Sequence, residues 1–111
     1  MKQPDLRLFG SSARTRILLA TALLEQSYPR EVGRVAAVPL ASAQRIINDL
    51  ERQGVLASRL RGTQREIRLN PSYFAAGELR TLLLRLSLAD ESLVHAVESI
   101  RRRPRRAGKA L

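Results

Sequence analysis

Along residues 40–53 the apolar positions recur at helical spacing. Ala43, Ile47 and Leu50 share one face, and Ala41, Arg45, Asn48 and Arg52 share the opposite one. A second amphipathic stretch precedes it. Val32, Val35 and Ala36 form an inward stripe, Arg30, Glu31 and Arg34 face out, and Pro29 suits the first turn of that helix. Ala37-Val38-Pro39 separates the two, because a proline there rules out one continuous helix. Gly54 is placed to end the second. Upstream, Ser11 or Ser12 can cap a helix running to about residue 26, whose centre from Ile17 to Leu24 is apolar nearly all round. Such a helix either sits centrally or turns one side to another subunit.

After Gly54 the period shortens. Residues 55–60 and 65–69 fit strand alternation, with Leu56, Leu60, Ile67 and Leu69 on the buried side and residues 61–64 as the turn. Two strands alone are marginal, so this hairpin is expected to pack on the preceding helices. A leucine-rich helix follows over residues 72–86, carrying Leu79, Leu82, Leu83 and Leu86. Asp90 then opens a last helix with Leu93, Val94, Val97 and Ile100 on its apolar face. Leu6, Leu8 and Phe9 are expected to tuck against the core.

Charge changes this picture. Twenty Lys and Arg stand against ten Asp and Glu in 111 residues, and residues 101–111 alone carry six of the ten net positive charges. The expected division is one domain over residues 1–100 and a basic, disordered tail over 101–111. Nucleic acid is the first partner to consider, since neutralising phosphates releases counterions. Arginine can bond guanine O6 and N7 bidentately and asparagine can do the same with adenine, so the outer stripe of residues 40–53 has the chemistry of a groove-reading helix. Arg45, Asn48, Gln44 and Arg52 are the candidate base readers. Ser42 and Thr63 suit phosphate oxygens, and Arg59, Arg61 and Arg65 place positive charge on the hairpin.

The chain has no cysteine, which excludes a disulfide framework and thiolate metal sites. Its longest apolar run falls well short of the roughly 20 residues of a membrane span, and Asp5 and Arg7 stand where a signal peptide would turn apolar. A cytoplasmic protein without membrane partners is expected. One histidine, no phosphate-loop glycine pattern and no clustered acids leave no enzyme chemistry, substrate or cofactor to assign. Leu8-Phe9-Gly10-Ser11 resembles the Gly-Ser turn of nucleotidyltransferases, yet the closely spaced aspartates those enzymes need are missing. Glu91, His95 and Glu98 share a helix face, the spacing of a zinc site, but are read as surface residues and no metal is assigned.

The order helix, helix, turn, helix, basic hairpin, leucine-rich helix resembles a winged helix-turn-helix, and more narrowly the ArsR-type (arsenic-repressor-like) transcriptional regulators. The resemblance spans residues 6–88. It is carried by Leu8-Phe9-Gly10-Ser11, Tyr28-Pro29-Arg30-Glu31-Val32, Gln44-Arg45 with Leu50-Glu51 and Gly54-Val55, and Arg68-Leu69-Asn70-Pro71. It implies a mainly α fold with a small β-hairpin (α+β), in which a three-helix core carries a wing and C-terminal dimerisation helices. It also implies a homodimer, paired through first and last helices, that represses transcription from an inverted-repeat operator in double-stranded DNA. Ile17, Leu24, Leu79, Leu82, Leu83, Leu86, Leu93 and Val97 are the interface residues this implies. One departure is Pro39, which stands where such helices usually carry a Ser or Thr cap.

Three other readings stay open. A plasmid or phage replication or partition protein would use the same domain on repeated sites, and a winged module can also dock proteins. An RNA-binding protein is disfavoured because Phe9, Tyr28, Tyr73 and Phe74, the only aromatics, lie outside the basic segments.

Overall fold

The computed structural model of the chain describes residues 7–102. Its elements run α1 (Ser12–Leu24), α2 (Pro29–Ala36), α3 (Leu40–Arg52), β1 (Leu56–Arg61), β2 (Gln64–Leu69), α4 (Ala76–Ser87) and α5 (Glu91–Arg102). The class is α+β, mainly helical, with one two-stranded antiparallel hairpin. Leu6 and residues 103–111 of the expected tail lie outside the described residues.

α1 is the centre of the molecule. Ser11 caps it by accepting a hydrogen bond from the Arg14 N–H, and Thr15 through Ala22, Arg16 excepted, are buried. The other four helices and β2 all pack on it. Full burial of a Leu or Ile side chain is worth about 1.5–3 kcal/mol, so this helix alone accounts for a large share of the core's stabilisation.

α2 and α3 meet at a turn set by backbone bonds. The Val38 N–H donates to the Gly33 carbonyl and the Ala37 N–H to that of Arg34, with Ala37 in the left-handed region at φ 59°. This is a Schellman motif. α3 ends the same way, through Val55 to Leu50 and Gly54 to Glu51, with Gly54 at φ 80°. Gly33 lets the two helices approach closely, since a Cβ there would lie 3.1 Å from the Val38 carbonyl oxygen and 3.3 Å from the Ala43 Cβ.

The hairpin pairs Leu56 with Leu69 through Arg61 with Gln64, so its turn is the two residues Gly62 and Thr63 rather than four. Ser27, in the α1–α2 connection, exchanges both backbone hydrogen bonds with Ile67 and ties β2 to the helical layer. Leu56 and Ile67 are buried as the alternation predicts, but Leu60 is 74 % exposed. The strands outrun the helices beneath them, leaving nothing to cover the tip. Leu8 is likewise exposed, whereas Phe9 packs on the core.

The C-terminal helices pack on the chain's own core. α5 folds back on α1 and α2. Asp90 accepts the Leu93 N–H at 3.1 Å and faces Arg16 at 3.3 Å; Arg16 also donates to the Ala36 carbonyl, and Arg101 to that of Leu23. Ile17, Leu83, Leu93 and Val97, four of the eight residues expected at a subunit interface, are buried in the chain's own core. Leu24, Leu79 and Leu86 are partly buried against that core, and Leu82 alone of the eight is exposed.

Candidate nucleic-acid interface

α3 places its two stripes as its spacing predicts. Ala43, Ile47 and Leu50 are buried, while Ala41, Gln44, Arg45, Asn48 and Arg52 are exposed. Its start lacks a side-chain cap, with Pro39 at that position. Ser42 does not replace it; its hydroxyl instead accepts from the Arg45 guanidinium at 3.3 Å, which orients Arg45 along the outer face. The far end of the helix is clamped from α1. Arg14 donates to Asp49 at 2.7 Å and to Gln53 at 3.0 Å. Arg52 also faces Asp49, at 3.2 Å, so two guanidinium groups share one carboxylate.

The hairpin is tied to α3 by a three-membered link. Glu51 of α3 accepts from the Ser58 hydroxyl of β1 at 2.6 Å and from the Arg65 guanidinium of β2. Strand alternation sets which residues can join it. Ser58 and Arg65 lie on the hairpin face turned to α3, whereas Arg59 and Arg61 lie on the other face with Glu66. That places Arg59 away from the α3 surface, with its Nε 3.0 Å from the Glu66 carboxylate; Arg61 stands 3.6 Å from the other oxygen. Glu66 is only 6 % exposed beneath them.

Both shared carboxylates, Asp49 and Glu66, face two arginines each, so each cluster keeps a net positive charge. A guanidinium has five N–H donors, so an arginine engaged by one carboxylate retains donors for a phosphate. The Arg14 hydrogen bond, seconded by Arg52, holds the Asp49 carboxyl below its ordinary range. The Ser58 hydrogen bond, then Arg65, does the same for Glu51. Both stay ionised well into acid conditions.

One open groove of about 470 Å³ joins three elements. Arg30, Glu31 and Arg34 of α2, Leu40 and Gln44 of α3, and Thr63, Gln64 and Arg65 of the hairpin line it, with Tyr28 and Pro29 at one end. Of the nine candidate DNA contacts, Gln44, Thr63 and Arg65 meet here. Ser42, Arg45, Asn48 and Arg52 continue along α3, Arg61 stands at the hairpin tip, and Arg59 is turned away. Arg30 and Arg34 were not among the candidates. They are exposed one helical turn apart and have no carboxylate partner among the described residues. Their signal in the sequence is the outward face of α2, which adjoins the polar stripe of α3.

No family model matches this chain, and no curated protein or solved structure does so significantly. What the surface can do therefore follows from its geometry and charge. Among the described residues no helix is long and apolar enough to cross a membrane, and no three His, Cys, Asp or Glu side chains gather to hold a metal ion. Glu91, His95 and Glu98 are exposed along α5.

Proposed function

We propose that this chain is a winged helix-turn-helix domain of the ArsR-like kind that binds double-stranded DNA and regulates transcription, acting as a repressor. The observation that carries this reading is the common orientation of α3 and the hairpin. Gln44, Arg45, Asn48 and Arg52 project from one exposed helix face, and Thr63 and Arg65 lie across a single groove from Gln44. A helix so mounted fits the major groove, which is about 12 Å wide. Arg45 and Asn48 then address base edges. Arg30, Arg34, Arg61, Thr63 and Ser42 address phosphates, which fix register without reading sequence. Glu51 holds the hairpin at a constant spacing from α3, so that both reach the duplex together.

Two such domains related by a two-fold axis read an inverted repeat with half-sites roughly 34 Å apart. Selection of bound duplexes from a random-sequence pool tests the proposal. A recurrent, symmetric motif is the expected result. Arg61→Ala should then weaken all duplexes alike and reduce the salt slope by about one. A chain that retains no duplex even at low salt is not a DNA-binding protein.

A further inference from the structure

We infer that the hairpin face turned away from α3 begins a second DNA-binding surface, a line of Arg59, Arg68 and Arg80 that holds the phosphate backbone of a second duplex while α3 holds the first. This rests on the DNA-binding reading above and extends it from one duplex to two. Arg68 is the residue that points to it. Four arginines among the described residues are half-buried: Arg14, Arg16, Arg65 and Arg68. The first three reach the carboxylates of Asp49, Asp90 and Glu51 in turn. Arg68 faces no carboxylate among the described residues. A half-buried cation gives up part of its hydration, and without a partner in the fold nothing offsets that loss until an anion arrives.

Strand alternation puts Arg68 on the same hairpin face as Arg59 and Glu66. Arg59 pairs with Glu66 across the ladder, so Arg68 is its diagonal neighbour, with Cα atoms roughly 7–8 Å apart. A notch of about 30 Å³ lies between the two, lined by Ala57, Ser58, Arg59, Glu66 and Arg68. On its other side Arg68 shares a hollow of about 220 Å³ with Glu25, Gln26 and Arg80, which carries the line of arginines across to α4. α3 contributes no residue to either hollow, and neither shares a residue with the groove between α2, α3 and the hairpin.

Charge and shape select the occupant. Three guanidinium groups set in a line, rather than converging on one point, fit an extended polyanion and not a single small ion. The neighbouring carboxylates compete weakly. Glu66 is buried beneath Arg59, and Glu25 stands 3.7 Å from Arg80, beyond hydrogen-bond reach, so a phosphate displaces it. None of the exposed large apolar side chains lines either hollow, which leaves a protein partner without the apolar core of an ordinary interface. A phosphate backbone needs none. Contacts to phosphates alone read no sequence, so the second duplex is held whatever its bases. With α3 on one side and this line on another, the chain is a bridge between two duplexes.

The test separates the two duplexes. Beads carrying the duplex recovered by selection are saturated with the full chain, washed, and offered a labelled random duplex at a series of salt concentrations. The loaded beads should capture the label, less so as salt rises. Arg68→Gln combined with Arg80→Gln should weaken capture about tenfold or more and lower its salt slope by about two, with loading of the selected duplex unchanged. Glu25→Gln removes a competing carboxylate and should strengthen capture. Circular dichroism checks that the variants remain folded. Loaded beads that capture no label overturn the inference and leave the DNA-binding reading standing. So does capture indifferent to all three substitutions, which would place the second duplex on another surface. A chain that loads onto no duplex refutes both.

Discussion

Gly33→Ala probes the α2–α3 junction on which the proposed DNA-reading face depends. In a helix, alanine is favoured over glycine by about 0.8–1 kcal/mol. At this position the new methyl would stand 3.1 Å from the Val38 carbonyl oxygen and 3.3 Å from the Ala43 Cβ. Neither neighbour is a flexible chain end. The carbonyl belongs to the Schellman turn, and Ala43 is fully buried on the inner face of α3. Relief therefore requires α3 itself to shift by a few tenths of an ångström. Overpacking of this kind costs about 1–3 kcal/mol, which exceeds the propensity gain, and a net loss of about 1 kcal/mol is expected. Urea unfolding at neutral pH should show the midpoint falling by roughly 0.5–1 M with an unchanged slope. Gly77→Ala is the control, because a Cβ there meets nothing within 4 Å; at low protein concentration it should stabilise by up to about 1 kcal/mol. If Gly33→Ala stabilised as much as Gly77→Ala, the close approach of α2 and α3 would be refuted.

Ala37→Gly should act in the opposite sense to Gly33→Ala. A left-handed residue with a side chain costs about 1–2 kcal/mol and glycine's extra freedom when unfolded offsets part of that, so a gain of about 0.5–1 kcal/mol should appear in the same unfolding assay. Leu93→Ala should cost about 2–5 kcal/mol of stability in that assay, since Leu93 is fully buried in the chain's own core. Stability should also fall in acid. Asp49 and Glu51 titrate below their ordinary values of 3.8 and 4.5 when folded, so their contribution is complete above those values and disappears as pH falls through the folded ones. Glu51→Gln should make the unfolding midpoint less sensitive to pH between about pH 5 and about pH 2, and an undiminished dependence would remove Glu51 from the link to the hairpin.

The amphipathic helices were legible because their partners are implied by their own spacing. Ala43, Ile47 and Leu50 had to be covered, whatever covered them, and Arg45 and Asn48 had to face away. α1 was ambiguous for the same reason, because an all-round apolar helix states that it is buried without saying by what. Here the other four helices and β2 cover it, and α5 does so through pairings between residues more than seventy positions apart that no local pattern encodes. Leu60 misled because alternation reports a strand's face but not how far the supporting layer extends. The arginines were legible as a residue type, yet their partners were not. That Arg59 and Arg61 share Glu66, and that Arg65 reaches Glu51, depends on hairpin register and on how the hairpin docks. Ser27 gave no signal at all, since a single bridging residue has no period.

The outer face of α3 is proposed to read sequence while its surroundings hold the DNA backbone. Binding of Arg45→Ala to the duplex recovered by selection, measured beside a random duplex at the same salt, tests it most directly. The variant should lose about 1–3 kcal/mol on the selected duplex and distinctly less on the random one, with relaxed preference at a single base pair. Equal losses on both duplexes, or none on either, would contradict it.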